Sequence, residues 1–325
     1  MGSRDVGRRG ALGLLSIAGL ARRADADPTL GRVARIVVGS APGGGTDVVA
    51  RMLAERLSGS YAEQVVVENR TGASTRLAVE AVKRAAPDGA TMLLSPMPVM
   101  TLFPHTFPKT TRYDALVDFI PVATIGEIAY GWVVRSEHPA QDLADFIAWA
   151  KERNGFTFAP AAIGAPQHML GVMLARQAGV EMTVVTYRGG AQLDLLGGRL
   201  DAYMSHMADV GTLAREGRSR LLAVSSPMRV PWAPQVKTFA EQGFPDLMAT
   251  EAFCLLVPAG TPAPLVIALN AAVRDTLEQP VVVARLAQLE FTPLILSPEA
   301  TAERIGTERE RWGPIVQAVG FSADD

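Results

Sequence analysis

The sequence predicts an α/β protein in which two successive blocks each combine buried strands with amphipathic helices. The first observation is an apolar, β-branched run at residues 36–38, which leads through three glycines into apolar residues at helical spacing. The second is that strands and helices continue to alternate up to residue 94, which predicts a parallel sheet with right-handed crossovers. The third is another strand, small-residue loop and helix at residues 156–177. With 325 residues, 48% of them hydrophobic, the chain is long enough for two domains.

The individual elements follow from apolar periodicity and from glycine and proline punctuation. Strands are predicted at residues 36–38, 65–69, 91–94, 122–125, 132–135, 156–159, 184–187, 200–205, 221–225 and 252–257, with an edge strand at 293–296. One helix is predicted to follow the first glycine loop, and others lie at residues 75–86, 143–151, 167–177, 265–277, 281–289 and 298–319.

The strongest candidate site is the loop that joins the first strand to the first helix. This loop contains Pro42, Gly43, Gly44, Gly45, Thr46 and Asp47. Its glycines let backbone N–H groups approach a ligand with no Cβ in the way. With Thr46 or Asp47 as the helix cap, free N–H groups and the positive end of the helix dipole favour a carboxylate or a phosphate. The alternative is a tight connection that binds nothing.

Two nucleotide-binding motifs are excluded at this loop. No Lys-Ser or Lys-Thr pair follows the glycines, so the loop is not a Walker A motif. The spacing of the glycines does not match G-x-G-x-x-G either.

Other candidate residues follow strands, and the ligands of parallel sheets bind at the carboxyl ends of the strands. Ser95 and Met97 lie in a predicted loop after the third strand, although Met97 also suits the core. The small-residue loop of the second block contains Ala161, Ala162, Ile163, Gly164, Ala165, Gln167 and His168. For this histidine, a structural role and a place in the cleft are equally good interpretations. A third group after a strand consists of Tyr187, Arg188 and Gly189. Arg188 either binds a carboxylate bidentately or is a solvated residue at a strand end.

Composition argues against several classes of function. The formal net charge is -2 and the pI is about 6.1, which gives no electrostatic footprint for nucleic acid. The single cysteine, Cys254, excludes an intramolecular disulfide, and its apolar neighbours indicate a buried, inert thiol. The four histidines show no metal-ligand spacing, so we predict neither a metal site nor a cofactor. No nucleophile elbow or catalytic constellation is evident, and we predict that the protein is not an enzyme.

Residues 1–26 are typical of an export signal. Arg4, Arg8 and Arg9 form a basic region, residues 11–21 form an apolar core, and Ala24-Asp25-Ala26 suits a cleavage site. The apolar core is shorter than the roughly 20 residues needed to span a bilayer. We therefore expect export to the periplasm through the Sec or the twin-arginine route. The alternative is a disordered basic tail.

Six stretches follow one another in a specific order along the chain. They are PGGGTD at 42–47, VVENR at 66–70, APDGAT at 86–91, YRGG at 187–190, DLLGG at 194–198 with Asp201 after it, and VPAGTP at 257–262. Each is generic alone. Together, over about residues 32–319, they resemble the Bug, or TctC-like, family of periplasmic solute-binding receptors of tripartite tricarboxylate transporters.

The resemblance implies an α/β, two-lobed periplasmic-binding-protein fold of the type II-like, Venus-flytrap form. Each lobe would be a mainly parallel sheet flanked by helices, and two crossover strands would join the lobes. Domain 1 would comprise residues 27–125 plus 252–325, and domain 2 residues 126–251. The loops at 42–47 and 160–168 would reach the ligand mainly through backbone groups and ordered water.

The resemblance also implies a function and partners. The chain would capture a small carboxylate in the interdomain cleft and deliver it to membrane transporter subunits. The ligand classes that remain open are di- and tricarboxylates, acidic amino acids and aromatic acids. A monomer with no nucleic-acid partner is expected. Two alternatives stay open, namely a sensor of the same fold that serves a signalling partner, and a hydrolase-type enzyme.

One departure from the family pattern bears on the ligand. The second loop of the family usually reads Ser-x-Gly-x-Gly-Ser-x-x-His, whereas this chain has Pro160, Ala162, Gly164, Ala165 and His168. The serine hydroxyls are absent, and the proline at position 166 has no N–H group. The second half of the site therefore offers fewer donors than is usual for the family.

Overall fold

A computed structural model describes residues 29–187 and 189–324, so the predicted export signal and Arg188 lie outside the described residues. The strands are β1 (Leu30–Val38), β2 (Ala62–Asn69), β3 (Thr91–Pro96), β4 (Phe119–Arg135), β5 (Phe156–Pro160), β6 (Met182–Val184), β7 (Ala202–His206), β8 (Ser219–Val224), β9 (Thr250–Pro258) and β10 (Thr292–Pro293). The helices are α1 (Gly45–Leu57), α2 (Arg76–Lys83), α3 (Met97–Thr101), α4 (Phe103–Thr106), α5 (Leu143–Glu152), α6 (Pro166–Ala178), α7 (Ala191–Leu196), α8 (Met207–Arg215), α9 (Ala263–Leu277), α10 (Pro280–Gln288) and α11 (Pro298–Val319).

The first part of the sheet is parallel, which confirms the prediction from the alternation of strands and helices. β1 lies between β2 and β3, with Ile36 opposite Val67 on one side and Met92 on the other. Ile36 is fully buried, as expected for a parallel strand that is covered on both faces. The carboxyl ends of β1, β2 and β3 therefore meet at one edge, and the loops that follow these strands lie there together.

The prediction of two separate strands at residues 122–125 and 132–135 is wrong, because β4 is one continuous strand of 17 residues. Its glycines do not form a turn. A Cβ on Gly126 would lie 2.9 Å from the carbonyl oxygen of Thr292, and a Cβ on Gly131 would lie 2.7 Å from side-chain atoms of Val210 and Leu221. Glycine is needed at both positions because neighbouring segments approach the strand closely.

β4 joins the two parts of the sheet. Its first part, from Phe119 to Ala129, pairs antiparallel with β9, and β9 in turn pairs antiparallel with β3. Its last part pairs antiparallel with β7 and β8, while β5 lies parallel to both β6 and β7. Each part of the sheet thus combines a parallel set of three strands with antiparallel neighbours, which makes the sheet mixed.

Apolar side chains on both sides of the sheet form the core. One cluster surrounds Trp132, whose ring stacks on Phe158 at 4.8 Å between centroids. The long helix α11 contacts two clusters: Ile305 packs with residues of β3 and β9, whereas Trp312 packs with α6 and the residues around Trp132. This helix therefore ties the two parts of the sheet together.

One segment differs in type from the prediction. Residues 97–106, of which the first two were expected in a loop, form the short helices α3 and α4. Each contains a proline in its first turn, Pro98 or Pro104, where the missing N–H costs nothing. In so short a segment, proline concealed the helical pattern.

Candidate functional site

The first glycine loop is held in shape by a carboxylate in the first turn of α1. Gly44 is the N-cap of the helix and has no side chain to cap it, so the expectation that Thr46 or Asp47 forms the N-cap is wrong. Asp47 instead reaches back, and its Oδ2 accepts the N–H of Gly43 at 2.9 Å. Gly43 has a φ of +83°, which glycine adopts without strain.

Asp47 is ionised and fully engaged. Its Oδ2 also accepts from Nε of Arg51 at 2.9 Å, and its Oδ1 accepts from the amide of Asn69 at 2.8 Å. The pKa of Asp47 is lowered to about 2. The largest cause is the hydrogen bond from Arg51, and burial acts in the opposite direction. A carboxylate so placed fixes the loop and is a poor general acid.

The backbone donors of this loop differ in availability. Gly44 donates its N–H to the carbonyl of Ala41 at 3.0 Å, and the N–H of Gly43 is bound to Asp47. Among the described residues, the N–H groups of Gly45, Thr46 and Asp47 have no acceptor, as is usual for the first turn of a helix. A Cβ on Gly45 would meet no atom within 4 Å, so open space lies before the helix N-terminus.

The second small-residue loop has the same design. α6 begins at Pro166 with Ala165 as its N-cap, and Gly164 before it has a φ of +75°. The N–H of Gly164 donates to Nδ1 of His168 at 3.3 Å. In both loops, therefore, a left-handed glycine just before the N-cap donates its N–H to the third residue of the helix.

The acceptors in the two loops differ in charge. Burial lowers the pKa of His168 to about 4, so its ring is neutral at pH 7. Because Nδ1 accepts the hydrogen bond, the remaining proton lies on Nε2. The ring is also held edge-on by Phe321, with 4.6 Å between the ring centroids. The His168 side chain therefore positions the second loop.

Two residues between the loops were not singled out by sequence reasoning. Thr75 packs tightly on Gly39, at the end of β1, and the Arg76 that follows it stacks over the ring of Phe107 with Cζ 4.0 Å from the centroid. The ring of Phe107 lies 3.1 Å from the position that a Cβ on Gly164 would take. A continuous set of contacts thus leads from the end of β1 to the second loop.

A cavity of about 550 Å³ lies next to the second loop. Three predicted site residues line it, namely Ala161, Tyr187 and Gly189. The hydroxyl of Tyr187 donates to Oδ2 of Asp194 at 2.7 Å. This hydrogen bond is the largest of the causes that raise the pKa of Tyr187. Asp209 also lines the cavity and accepts a hydrogen bond from Ser205 at 2.6 Å.

The other predicted site residues lie in two environments. Ser95 and Met97 are buried, and the Ser95 hydroxyl donates to the carbonyl of Pro96 at 3.1 Å. Gln167 is also buried, and its Oε1 has no hydrogen-bond partner among the described residues. Pro42 and Ala162 are exposed, and Ile163 is partly exposed.

Within the part of the chain that the structure describes, no group of three or more His, Cys, Asp or Glu side chains has the arrangement of a metal site. Over the same residues, no helix combines the length and the apolar character that a membrane crossing requires. Cys254 is buried, as predicted, and burial raises the pKa of its thiol to about 12.

Known proteins resemble this chain over most of its length. Residues 49–321 match the model of the tripartite tricarboxylate transporter family receptor. Protein BugT of Bordetella pertussis is 33% identical over 309 residues, which are 94% of this chain and 95% of BugT. The solved structure of the periplasmic binding protein BugD is 29% identical with a TM-score of 0.77, and the match covers 90% of this chain and 98% of BugD.

Two further solved structures contain bound carboxylates. MatC of Rhodopseudomonas palustris, solved with malate, is 30% identical with a TM-score of 0.76 and matches over 88% of this chain and 99% of MatC. Another R. palustris protein, solved with adipate, is 29% identical with a TM-score of 0.80 over 90% of this chain and 98% of that protein. The mixed α/β fold and the order of its motifs agree with these likenesses, and the chain belongs to the TctC, or Bug, family of periplasmic solute-binding proteins.

Proposed function

We propose that this protein captures a small carboxylate between its two glycine loops and delivers it to a tripartite tricarboxylate-type membrane transporter. The observation that carries the proposal is the shared design of the loops. Each loop ends in a helix N-terminus, and in each the glycine before the N-cap is fixed by the third residue of the helix. Two such termini suit a bound anion, because each presents the positive end of a helix dipole, and the first also has N–H groups without an acceptor among the described residues.

Binding is proposed to use backbone groups first. The donors are the N–H groups of Gly45, Thr46 and Asp47 at one helix, which have no acceptor among the described residues. A charge near a helix N-terminus gains about 0.3–2 kcal/mol, and ordered water can extend such contacts to ligands of different size. The ring of His168 stays neutral at pH 7, which avoids a charge beside the second terminus.

The ligand is proposed to be an aliphatic dicarboxylate. The relatives solved with malate and with adipate support this choice, since both ligands carry two carboxylates and both proteins share the fold over most of this chain. The 550 Å³ cavity beside Tyr187 offers further room next to the second loop. Arg188, which lies outside the described residues, remains a candidate for the same anion.

The two lobes are proposed to be residues 27–125 plus 252–325 and residues 126–251, which close on the ligand by a hinge motion. β4 and β9 support this proposal, because they pair side by side and β4 runs from one part of the sheet into the other. The bound anion would contact one loop from each lobe and so favour the closed arrangement. Residues 1–26 are proposed to direct export to the periplasm.

A glycine substitution in the first loop tests the site. In Gly45→Val the new side chain would enter the open space before α1 and block the approach of an anion to the backbone. Gly31→Val is a matched control, because a Cβ there also meets no atom within 4 Å and the residue lies near the opposite end of β1. Both variants should fold like the wild type.

The measurement is thermal unfolding with and without succinate, malate and adipate. A ligand at 100 times its dissociation constant stabilises a protein by about 2.7 kcal/mol, which corresponds to about 4 °C for a chain of this size. We expect this shift in the wild type and in Gly31→Val and its loss in Gly45→Val. An unchanged shift in Gly45→Val would show that the first loop does not bind the anion.

A further inference from the structure

Arg76 is a buried arginine with no hydrogen-bond or ion-pair partner among the described residues. It is 8% exposed, and its Nε and Nη1 atoms are buried with no hydrogen bond to any described residue. No carboxylate of the described chain forms an ion pair with it, and no other arginine there has buried nitrogens without a partner. An unpaired buried charge is costly, so the folded chain keeps this guanidinium at the expense of stability.

The position of Arg76 in its helix is also unfavourable. It is the first residue of α2, where the positive end of the helix dipole repels a cation. The three residues before it, Ala73, Ser74 and Thr75, all have positive φ angles of 46°, 50° and 78°. Non-glycine residues rarely adopt this conformation, and such strain is concentrated at ligand-binding sites.

The surroundings of Arg76 place it at the candidate site. α2 follows β2, so its first residue lies at the same sheet edge as the loop after β1. The guanidinium lies over the ring of Phe107, and this ring contacts Gly164 of the second loop. Asp324 lies close enough for the charge of Arg76 to affect it, but its carboxylate accepts from Thr110 and from the N–H of Lys109.

We propose that Arg76 binds the second carboxylate of a dicarboxylate ligand whose first carboxylate lies at the helix N-termini. This inference rests on the proposed function and adds a residue that selects for a second negative charge. Guanidinium and carboxylate groups form charge-assisted hydrogen bonds, and Nε and Nη1 of Arg76 are the buried donors that have no partner among the described residues. The second carboxylate of the ligand would be the ion-pair partner that Arg76 does not have among the described residues.

The test compares dicarboxylates with monocarboxylates of the same length. Succinate is paired with butyrate, and adipate with hexanoate, and affinities for both pairs are measured by calorimetry. The variant is Arg76→Gln, and Arg76→Lys keeps the charge but loses the planar set of guanidinium donors. Arg84→Gln is the matched control, because Arg84 lies at the other end of α2, is exposed and pairs with Glu80.

We expect Arg76→Gln to weaken the binding of at least one dicarboxylate by about 10- to 100-fold, the size of a hydrogen bond to a charged group. The affinity for the monocarboxylate of equal length should stay within about threefold, because only the second carboxylate contacts position 76. Arg76→Lys should lie between the wild type and Arg76→Gln, and Arg84→Gln should bind like the wild type. The unliganded Arg76→Gln protein should unfold at the same temperature as the wild type or a higher one, since it loses an unpaired buried charge.

Two other results would overturn the inference and have distinct meanings. If the wild type binds dicarboxylates but Arg76→Gln binds them equally well, or loses both members of each pair equally, the role of Arg76 is wrong and the loops remain the site. If the wild type binds none of the four acids, the proposed function fails and the inference fails with it.

Discussion

His168→Asn should remove a specific pH dependence from the stability of this protein. The ring of His168 is 4% exposed, and burial lowers its pKa from 6.5 to about 4. In the unfolded chain the ordinary pKa of histidine applies, so the unfolded state binds a proton first as the pH falls below 6.5. Acidification from pH 6.5 to pH 4 therefore favours unfolding, and the neutral ring contributes its full stability only above pH 6.5.

The magnitude follows from the two pKa values. The pKa of His168 falls from 6.5 in the unfolded chain to about 4 in the folded protein, and this difference corresponds to about 3 kcal/mol of stability that is lost once the pH is well below 4. Between pH 7 and pH 4.5 the expected loss from this one group is about 2.4 kcal/mol. Asparagine is the suitable replacement, because its side-chain oxygen can accept the N–H of Gly164 in place of Nδ1 but does not titrate.

The assay is urea unfolding of both proteins at several values between pH 4.5 and pH 7. Between pH 7 and pH 4.5 the wild type should lose about 2.4 kcal/mol more unfolding free energy than His168→Asn. If asparagine costs some stability at pH 7, the two curves of unfolding free energy against pH should therefore converge on acidification. Other titrating groups are shared by both proteins and cancel in the comparison. A difference between the proteins that is independent of pH would refute the argument that burial keeps this ring neutral.

Two further predictions concern β4 and its neighbours. In Gly126→Ala the new Cβ would press against the carbonyl oxygen of Thr292, so urea unfolding should show a loss of about 1–3 kcal/mol, while Gly31→Ala should lose less than 1 kcal/mol. In Glu251→Gln the ion pair with His206, 3.1 Å in the wild type, is lost. Burial opposes the charge of His206, but Glu251 raises the pKa of this histidine above 6.5. Glu251→Gln should therefore lower the free energy of unfolding by about 2 kcal/mol at pH 6. This loss should become smaller as the pH rises through the pKa of His206 in the folded protein.

Most of the helices and strands could be predicted because each buries one uninterrupted run or stripe of apolar residues. β1 and β3 are short apolar runs between glycine and proline signals, and their parallel pairing follows from the helices between them. β4 was divided wrongly, because Gly126 and Gly131 resemble turn residues in the sequence. Their actual role, to admit Thr292 and side chains of other elements, depends on contacts that are distant in the chain.

For the candidate site, the position of the first loop in the chain was predictable, but the side chains that hold the loops in shape were less so. Three successive glycines before a helix are a local signal, and the first loop lies where this signal placed it. The link from Gly43 to Asp47 and that from Gly164 to His168 could not be read from composition, since aspartate and histidine share only the ability to accept a hydrogen bond. Arg76 was missed because a single arginine in an amphipathic helix is usually solvated, and only the folded chain shows that it is buried.

The proposed division of roles between backbone and side chains would let one fold accept several acids and still distinguish between them. Both loops are fixed by internal hydrogen bonds before any ligand arrives, so binding need not order them, and this preorganisation favours affinity. Backbone donors recognise a carboxylate without regard to the rest of the molecule, and they therefore give little selectivity. In the proposed site, selectivity would come from groups that the fold leaves unsatisfied, and Arg76, whose buried nitrogens have no partner among the described residues, is a charged group of this kind. A ligand with one carboxylate would leave that charge buried and unpaired, whereas a dicarboxylate of suitable length would neutralise it. The proposed preference for two negative charges would then arise as much from the penalty on the wrong ligand as from attraction to the right one.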